Sequence, residues 1–341
     1  MTYKEVLENA RNTIGPNCKV CPECNGLACG NTVPGPGSKA PGNGANDNFV
    51  AWKKYKLEMD TIVSDGAADT SSELFGKKFA LPLLAGPVGN LSSQFNKGDD
   101  IKEYNDAVFE ACSACGVIGT VADGMSRDVL PAGFVSQKKY GADIIPIMNP
   151  FSNASIKDYC GQIAEAKPLA YGVVVDSAGL PHLIDSDLKA GPKSVEDLKE
   201  IRSFLPDMPF VVKGVLNAKS AEKAVSAGAD AIIVSNHGGR VLPCAPATAD
   251  VLPEIVSAVC KDVSIIVDGG IRSGADILKA LALGADAVLI CRPFLISWYG
   301  GKAEGVKLYI EKLKKELGEA MFMCGLKKIS DIDSSVVRLQ K

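Results

Sequence analysis

The chain lacks the features that mark several large classes of protein. Its 37 lysines and arginines and its 40 aspartates and glutamates are closely mixed and leave a net charge of −3, so neither nucleic acid nor an anionic membrane is an expected partner. No apolar run is long enough to span a bilayer. The first residues, Met1–Glu5, contain no apolar signal core, and we therefore expect a cytoplasmic protein.

Histidine is scarce as well, with two residues in 341, which makes each position informative. His237 lies in the hexapeptide SNHGGR at 235–240, directly after the apolar run 231–234, which is typical of a buried strand. Imidazole can take a proton near neutral pH, and the guanidinium of Arg240 can hold a carboxylate through two parallel hydrogen bonds. The hexapeptide therefore indicates chemistry on a small organic acid. His182 has no such context and is interpreted as a loop residue.

Short apolar runs recur at even spacing from residue 81 onward, and each ends in polar or turn-forming residues. They are continuous rather than alternating, as expected for parallel strands buried on both faces, and helical patterns such as 221–227 and 275–283 lie between them. We predict eight strands, at 81–87, 116–122, 143–149, 170–176, 209–215, 230–236, 264–270 and 286–292.

Eight such βα units predict an α/β protein with a (β/α)8 TIM barrel, since an open doubly wound sheet would not usually contain so many consecutive units. The tail from Gly300 contains a charged amphipathic helix, 303–317, that we expect to close the barrel. We divide the chain into a Cys-rich and Gly/Pro-rich N-terminal extension, 1–47, and the barrel, 48–341.

Polar residues follow the predicted strands, where active sites of such barrels gather. The fourth strand ends at Asp176 and the fifth contains Lys213. Ser235, His237 and Arg240 follow the sixth. A lysine on an apolar strand predicts either an ion pair within the barrel, to Asp176 or Asp268, or a cation that stabilises negative charge on a cofactor.

The ends of the seventh and eighth strands predict a phosphate site. Gly269 and Gly270 allow backbone N–H groups to approach an anion, and Arg272 and Arg292 add two positive charges. The alternative is that the arginines pair with surface acids such as Asp276.

These motifs resemble the FMN-dependent α-hydroxy-acid dehydrogenases and oxidases, the group of glycolate and lactate oxidase. The resemblance is strongest over 211–290 and continues more weakly from residue 48 to 176. It rests on VVKG at 211–214, SNHGGR at 235–240, PAT at 246–248, VDGGIRSGADILKALALGADAV at 267–288 and RP at 292–293. The resemblance implies FMN at the barrel mouth, a 2-hydroxy acid as substrate and a homo-oligomer, often a tetramer.

The resemblance also implies roles for individual residues. His237 would be the base that removes the hydroxyl proton, Asp176 would stabilise its cationic form, Arg240 would bind the substrate carboxylate, and Lys213 would stabilise the reduced flavin ring. The residues that would contact FMN are Pro87, Val88, Gly89, Lys213, Ser235, Asp268, Gly269, Gly270, Arg272, Cys291 and Arg292.

The chain departs from the family's pattern around the substrate. The family's tyrosine on the third strand falls near Met148 or Asn149, and its tryptophan after the second strand is replaced by the pair at 123–124. The family's second carboxylate-binding arginine is missing from 177–181. The tripeptide Gln-Leu-Asp, which in the family follows the first such arginine, is replaced by the residues at 241–243. A related FMN barrel with different chemistry, such as the type 2 isopentenyl diphosphate isomerase, and a flavin or metal electron carrier are therefore the alternative functions.

Cysteine, in contrast, is abundant, with 11 residues, four of them close together in the extension. The spacing of Cys18, Cys21, Cys24 and Cys29 resembles iron–sulfur loops of ferredoxins and would also suit zinc, although free thiols or local disulfides remain alternatives. A cluster would offer an exit for electrons and favour a dehydrogenase over an oxygen-using oxidase. The Gly/Pro-rich stretch 34–46 that follows is either a flexible linker or a loop that folds over the barrel mouth.

Overall fold

The computed structural model describes residues 1–180, 183, 190–259 and 263–340. His182 lies outside the described residues. The strands, numbered β1 to β12 in chain order, are Tyr55–Leu57, Ser72–Leu74, Lys77–Phe79, Leu83–Ala85, Ile118–Ala122, Ile144–Met148, Tyr171–Val174, Phe210–Val215, Ala231–Val234, Ser264–Asp268, Ala287–Ile290 and Val337–Leu339.

Strands β4 to β11 form a closed barrel in which every neighbouring pair is parallel, which confirms the predicted (β/α)8 fold. Strand β11 closes the barrel on β4, with Val288 opposite Leu83 and Ile290 opposite Ala85. The strands are buried over nearly their whole length, because helices cover the outside and side chains fill the inside. This burial explains why the strands read as continuous apolar runs.

The α-helices of the described residues, numbered α1 to α10 in chain order, are Tyr3–Thr13, Gly44–Lys54, Ile101–Cys115, Val129–Tyr140, Asn153–Ala166, Val195–Ser203, Ala218–Ser226, Thr248–Val259, Gly274–Ala282 and Arg292–Met323. Helices α3 to α10 each follow one barrel strand. Ser273 is the N-cap of α9, since its side chain accepts a hydrogen bond from the N–H of Asp276. Helix α10 contains the predicted tail helix and departs from helical geometry at Gly301 and Lys302.

The N-terminal extension packs on the last helix and on the barrel mouth. Val6 and Ala10 of α1 are fully buried, and Gly300 of α10 packs so closely on Val6 that a Cβ at Gly300 would lie 2.0 Å from the Val6 carbonyl oxygen. Just after the extension, Trp52 of α2 donates from Nε1 to the carbonyl of Gly269 at 2.7 Å. A residue far from β10 in sequence therefore holds the backbone at the end of that strand.

Two small antiparallel ribbons complete the fold. Strand β1 pairs with β12, and β2 pairs with β3. Leu74 and Phe79 of the second ribbon pack in the same apolar cluster as Leu84, Ile233 and other barrel residues. Among the helices of the described residues, we find none with both the length and the apolar character that crossing a bilayer requires.

Candidate active site

A cavity of about 1240 Å³, its opening included, lies at the carboxyl ends of the barrel strands. The predicted site residues that line it are Pro87, Val88, Gly89, Lys213, His237, Arg240, Asp268, Gly269, Gly270, Arg272, Cys291 and Arg292. The other two, Asp176 and Ser235, lie directly behind this surface.

Lys213 forms a buried ionic network on β8. Its Nζ lies 3.0 Å from Oδ2 of Asp268 and donates to Oγ of Ser235 at 2.6 Å, and Ser235 in turn donates to Oδ2 of Asp268. Burial alone would lower the pKa of Lys213, but the carboxylates of Asp268 and Asp176 outweigh burial and raise that pKa. The ion pair predicted as one alternative is therefore present, and it keeps Lys213 a cation on the cavity wall.

His237 and Asp176 are brought together from two strand ends. Nδ1 of His237 lies 3.1 Å from Oδ1 of Asp176, whose side chain is 11% exposed. Burial would raise the pKa of Asp176, but His237 and then Lys213 outweigh burial, and the pKa of Asp176 is lowered. An ionised carboxylate on Nδ1 leaves the other ring nitrogen of His237 facing the cavity, where it can accept a proton.

The backbone at His237 is held in an unusual conformation. His237, Gly238 and Gly239 have φ values of 55°, 63° and 77°, and a left-handed conformation at a residue other than glycine is unfavourable. The N–H of His237 donates to Oγ of Ser235 at 3.0 Å, and a Cβ at Gly239 would lie 2.8 Å from Cα of Gly44. This turn requires glycine next to the histidine and directs the imidazole into the cavity.

Arg272 and Arg292 both line the cavity. Nη2 of Arg272 and Nη1 of Arg292 are buried without a hydrogen-bond partner, and among the described residues no carboxylate forms an ion pair with either side chain. Asp276, the acid considered as an alternative partner, instead accepts from the backbone N–H of Arg272 at 3.1 Å. Two guanidinium groups that each have a buried, unused donor are suited to a phosphate, so the residues present fit the terminal phosphate of FMN.

Arg240 lies on the cavity wall, but its contacts differ from those expected of a free carboxylate-binding group. Its Nη1 donates to the carbonyls of Gly35 and Gly37, and its Nη2 donates to that of Pro34. The Gly/Pro-rich stretch is thus a loop on the barrel mouth in this structure.

Two residues of helix α2 that the sequence did not indicate, Asn48 and Trp52, hold the loops of the site. Asn48 exchanges side-chain hydrogen bonds with Asn236 at 2.7 and 3.0 Å, and it also accepts from the N–H of Thr248. The indole of Trp52 binds the carbonyl of Gly269. Neither residue follows a strand, so the pattern of strand ends contained no signal for them.

A polar network occupies the place where the family's tyrosine and tryptophan were expected. Met148 is fully buried and Asn149 lines the cavity. The buried carboxylate of Asp123 accepts from the backbone N–H and from Nδ2 of Asn149, while Ser177 donates to Oδ1 of Asn149 at 2.8 Å. Burial raises the pKa of Asp123 to about 7, against the opposing effect of the Asn149 hydrogen bonds. The amide of Asn149 is thereby fixed in orientation on the cavity wall.

The four clustered cysteines are half-buried free thiols. Among the residues that the structure describes, no group of three or more His, Cys, Asp or Glu side chains is arranged to hold a metal ion, which gives the metal interpretation no support. Burial raises the pKa of Cys18 to about 11. The segment does contact the phosphate end of the cavity, because Nε of Arg272 donates to the carbonyl of Cys24 at 2.6 Å.

Comparisons with known proteins identify the family of this chain. The family model described as FMN-dependent dehydrogenase matches residues 155–339. A peroxisomal (S)-2-hydroxyacid oxidase of Arabidopsis thaliana is 31% identical over 333 residues, covering 86% of this chain and 88% of that protein. An L-lactate oxidase of Lactobacillus jensenii is 36% identical over 236 residues, covering 69% of this chain and 53% of that protein. A solved structure of a mandelate oxidase mutant with the monooxide FMN adduct superposes with a TM-score of 0.73 at 29% identity, covering 86% of this chain and 90% of that one.

Proposed function

Because this chain belongs to the FMN-dependent dehydrogenase family, we propose that its barrel-mouth cavity oxidises a 2-hydroxy acid to a 2-oxo acid with His237 as the base. The protein is an FMN-dependent oxidoreductase that acts on CH–OH groups. The observation that carries the assignment of residues is the 3.1 Å pair of His237 and Asp176 on a wall that also holds Arg240 and Lys213.

His237 would take the proton from the substrate hydroxyl. Because Asp176 occupies Nδ1, the imidazole is held as the tautomer whose other nitrogen accepts, and the carboxylate stabilises the imidazolium that results. Asp176 is nearly buried, so water screens this stabilisation only weakly. The positive φ at His237 fixes where the ring enters the cavity.

The remaining charges would bind and orient. Arg240 would hold the substrate carboxylate, Arg272 and Arg292 would hold the cofactor phosphate, and Lys213 would stabilise negative charge on the isoalloxazine ring. FMN, when bound, supplies the acceptor for the hydride equivalent that leaves the substrate carbon. The substrate is thus placed between a base, which removes a proton, and cations, which favour its anionic form.

The alternative functions are less well supported. The relatives are named as oxidases of 2-hydroxy acids, of lactate and of mandelate, and these names favour oxidation of a 2-hydroxy acid over an isomerase or an electron carrier. A small 2-hydroxy monocarboxylic acid is therefore the proposed substrate class. A cytoplasmic location and a tetrameric assembly stay predictions, supported by the composition and by the sequence resemblance respectively.

The test is an anaerobic titration of the FMN-loaded protein with lactate, glycolate and mandelate, monitored by the absorption of oxidised flavin. We expect at least one acid to bleach the flavin and to yield the matching 2-oxo acid in equal amount. A flavin that no 2-hydroxy acid reduces would refute the proposal, and conversion of isopentenyl diphosphate by the reduced protein would favour the isomerase instead.

A further inference from the structure

The segment Pro34–Ser38, here called the mouth loop, is built into the cavity wall. Gly35, Pro36, Gly37 and Ser38 are buried, and Pro36 lines the cavity. Directly after the loop, the N–H of Lys39 donates to the carbonyl of Gly239 at 2.8 Å. The loop is therefore attached to the same turn that carries His237 and Arg240.

The mouth loop occupies one edge of the Arg240 guanidinium. Nη1 donates to the carbonyls of Gly35 and Gly37 at 2.6 and 3.1 Å, and Nη2 donates to the carbonyl of Pro34 at 3.3 Å. A guanidinium carries five N–H donors in a planar fork, so the N–H of Nε and the second N–H of Nη2 remain along the adjacent edge. That edge has the geometry for two parallel hydrogen bonds to one carboxylate.

The charge on Arg240 also lacks a counterion in the described part of the chain, where no carboxylate pairs with it. Burial, together with the nearby charge of Arg292, lowers the pKa of Arg240 to about 10, so the guanidinium remains charged at neutral pH. Three neutral carbonyls orient this cation without neutralising it. A buried cation of this kind is stabilised when an anion binds to its remaining edge.

We infer that the mouth loop is a positioning element of the substrate site, which turns the free edge of Arg240 toward the substrate carboxylate. The inference rests on the proposed function. This positioning role accounts for the missing second arginine at 177–181. A guanidinium that is already held along one edge loses less conformational freedom on binding a carboxylate than a mobile guanidinium does. The loop and the substrate then bind Arg240 together rather than in competition.

Thr32 holds the mouth loop from outside the cavity. Its Oγ1 donates to the carbonyl of Cys29 at 2.8 Å and accepts from the N–H of Gly37 at 2.9 Å. Thr32 is not among the residues that line the cavity. Gly37 has no room for a side chain, since a Cβ there would lie 1.5 Å from the Cys29 carbonyl oxygen. The loop can therefore be displaced without any change to a residue of the cavity.

The experiment compares Thr32→Val, which loses both hydrogen bonds at constant volume, with Thr32→Ser, which keeps them. We expect Thr32→Val to raise the KM of the FMN-loaded enzyme for its 2-hydroxy acid about tenfold, the size of a lost hydrogen-bond pair, with kcat much less changed. Thr32→Ser should behave as wild type. Gly37→Ala should have the larger effect of the same kind, and Gly161→Ala, at a position with open space around it, should have none.

Two further readouts separate this inference from the proposed function. Trypsin should cleave after Lys39 faster in Thr32→Val than in Thr32→Ser. Thr32→Val should also need a higher concentration of lactate than Thr32→Ser before the flavin spectrum changes, whether or not lactate is oxidised. Equal KM, equal cleavage and equal binding in these two variants would overturn the inference even if the enzyme oxidises 2-hydroxy acids. A lower KM in Thr32→Val would also overturn it, since the loop and the substrate would then compete for Arg240.

Discussion

Asp176→Asn should separate the charge of the His237–Asp176 pair from its shape. Asparagine has the size of aspartate and can still accept a hydrogen bond from Nδ1 of His237, but it lacks the negative charge 3.1 Å from that atom. Two unit charges about 4 Å apart interact by about 4 kcal/mol at an effective dielectric constant near 20. The imidazolium formed during proton removal should lose most of this stabilisation, which corresponds to a slowing of flavin reduction by about a hundredfold to a thousandfold.

Anaerobic stopped-flow reduction of the FMN-loaded protein by its 2-hydroxy acid measures this rate constant directly. Lys213 keeps its contact with Asp268, so the variant should still bind FMN with the affinity of wild type. Asp158→Asn is the matched control, because Asp158 is 60% exposed and pairs with Arg127 away from the cavity, and its rate should not change. A rate in Asp176→Asn within tenfold of wild type would refute the assignment of His237 as a base supported by this carboxylate.

Two further predictions concern buried charges. The pKa of Asp123 is raised to about 7 from 3.8, so its contribution to the free energy of unfolding is full below pH 4 and is lost as the pH rises through 7. In urea unfolding, the free energy of unfolding of wild type should fall by about 3 kcal/mol between pH 5 and pH 8 relative to that of Asp123→Asn. Parallel pH profiles of the two proteins would contradict this prediction. Arg292→Gln should weaken FMN binding to the apoprotein roughly tenfold to a hundredfold while leaving the affinity for riboflavin, which lacks the phosphate, unchanged; equal losses for both ligands would exclude a phosphate contact at Arg292.

Most of the barrel and much of the cavity could be predicted from the sequence, because both follow from the strand pattern. Parallel strands buried on two faces read as apolar runs, and the residues after them meet at one end of the barrel. Lys213, His237 and Arg292 were found in this way, since each follows or interrupts such a run. The structure brings them to one cavity, while their individual roles stay predictions.

The contacts of Asn48 and Trp52 could not be predicted, because they depend on tertiary packing rather than on periodicity. Asn48 and Trp52 lie on a helix near the start of the barrel chain, and nothing in their spacing indicates the loops they bind. Asp123 likewise reads as a turn residue after a strand, although burial against Asn149 makes it a carboxyl that titrates near neutrality. The boundary at 47–48 stays a prediction, and helix α2, Gly44–Lys54, spans it.

The absence of the family's second arginine and the presence of the mouth loop are best understood together. A carboxylate held by a single mobile arginine would have to order that side chain on binding, at a cost of roughly 0.5–1.5 kcal/mol for one rotamer-rich residue. The carbonyls of Gly35 and Gly37 order Arg240 beforehand, and they do so without adding a second positive charge beside Arg292. An uncharged loop therefore serves this crowded cationic wall better than another arginine would.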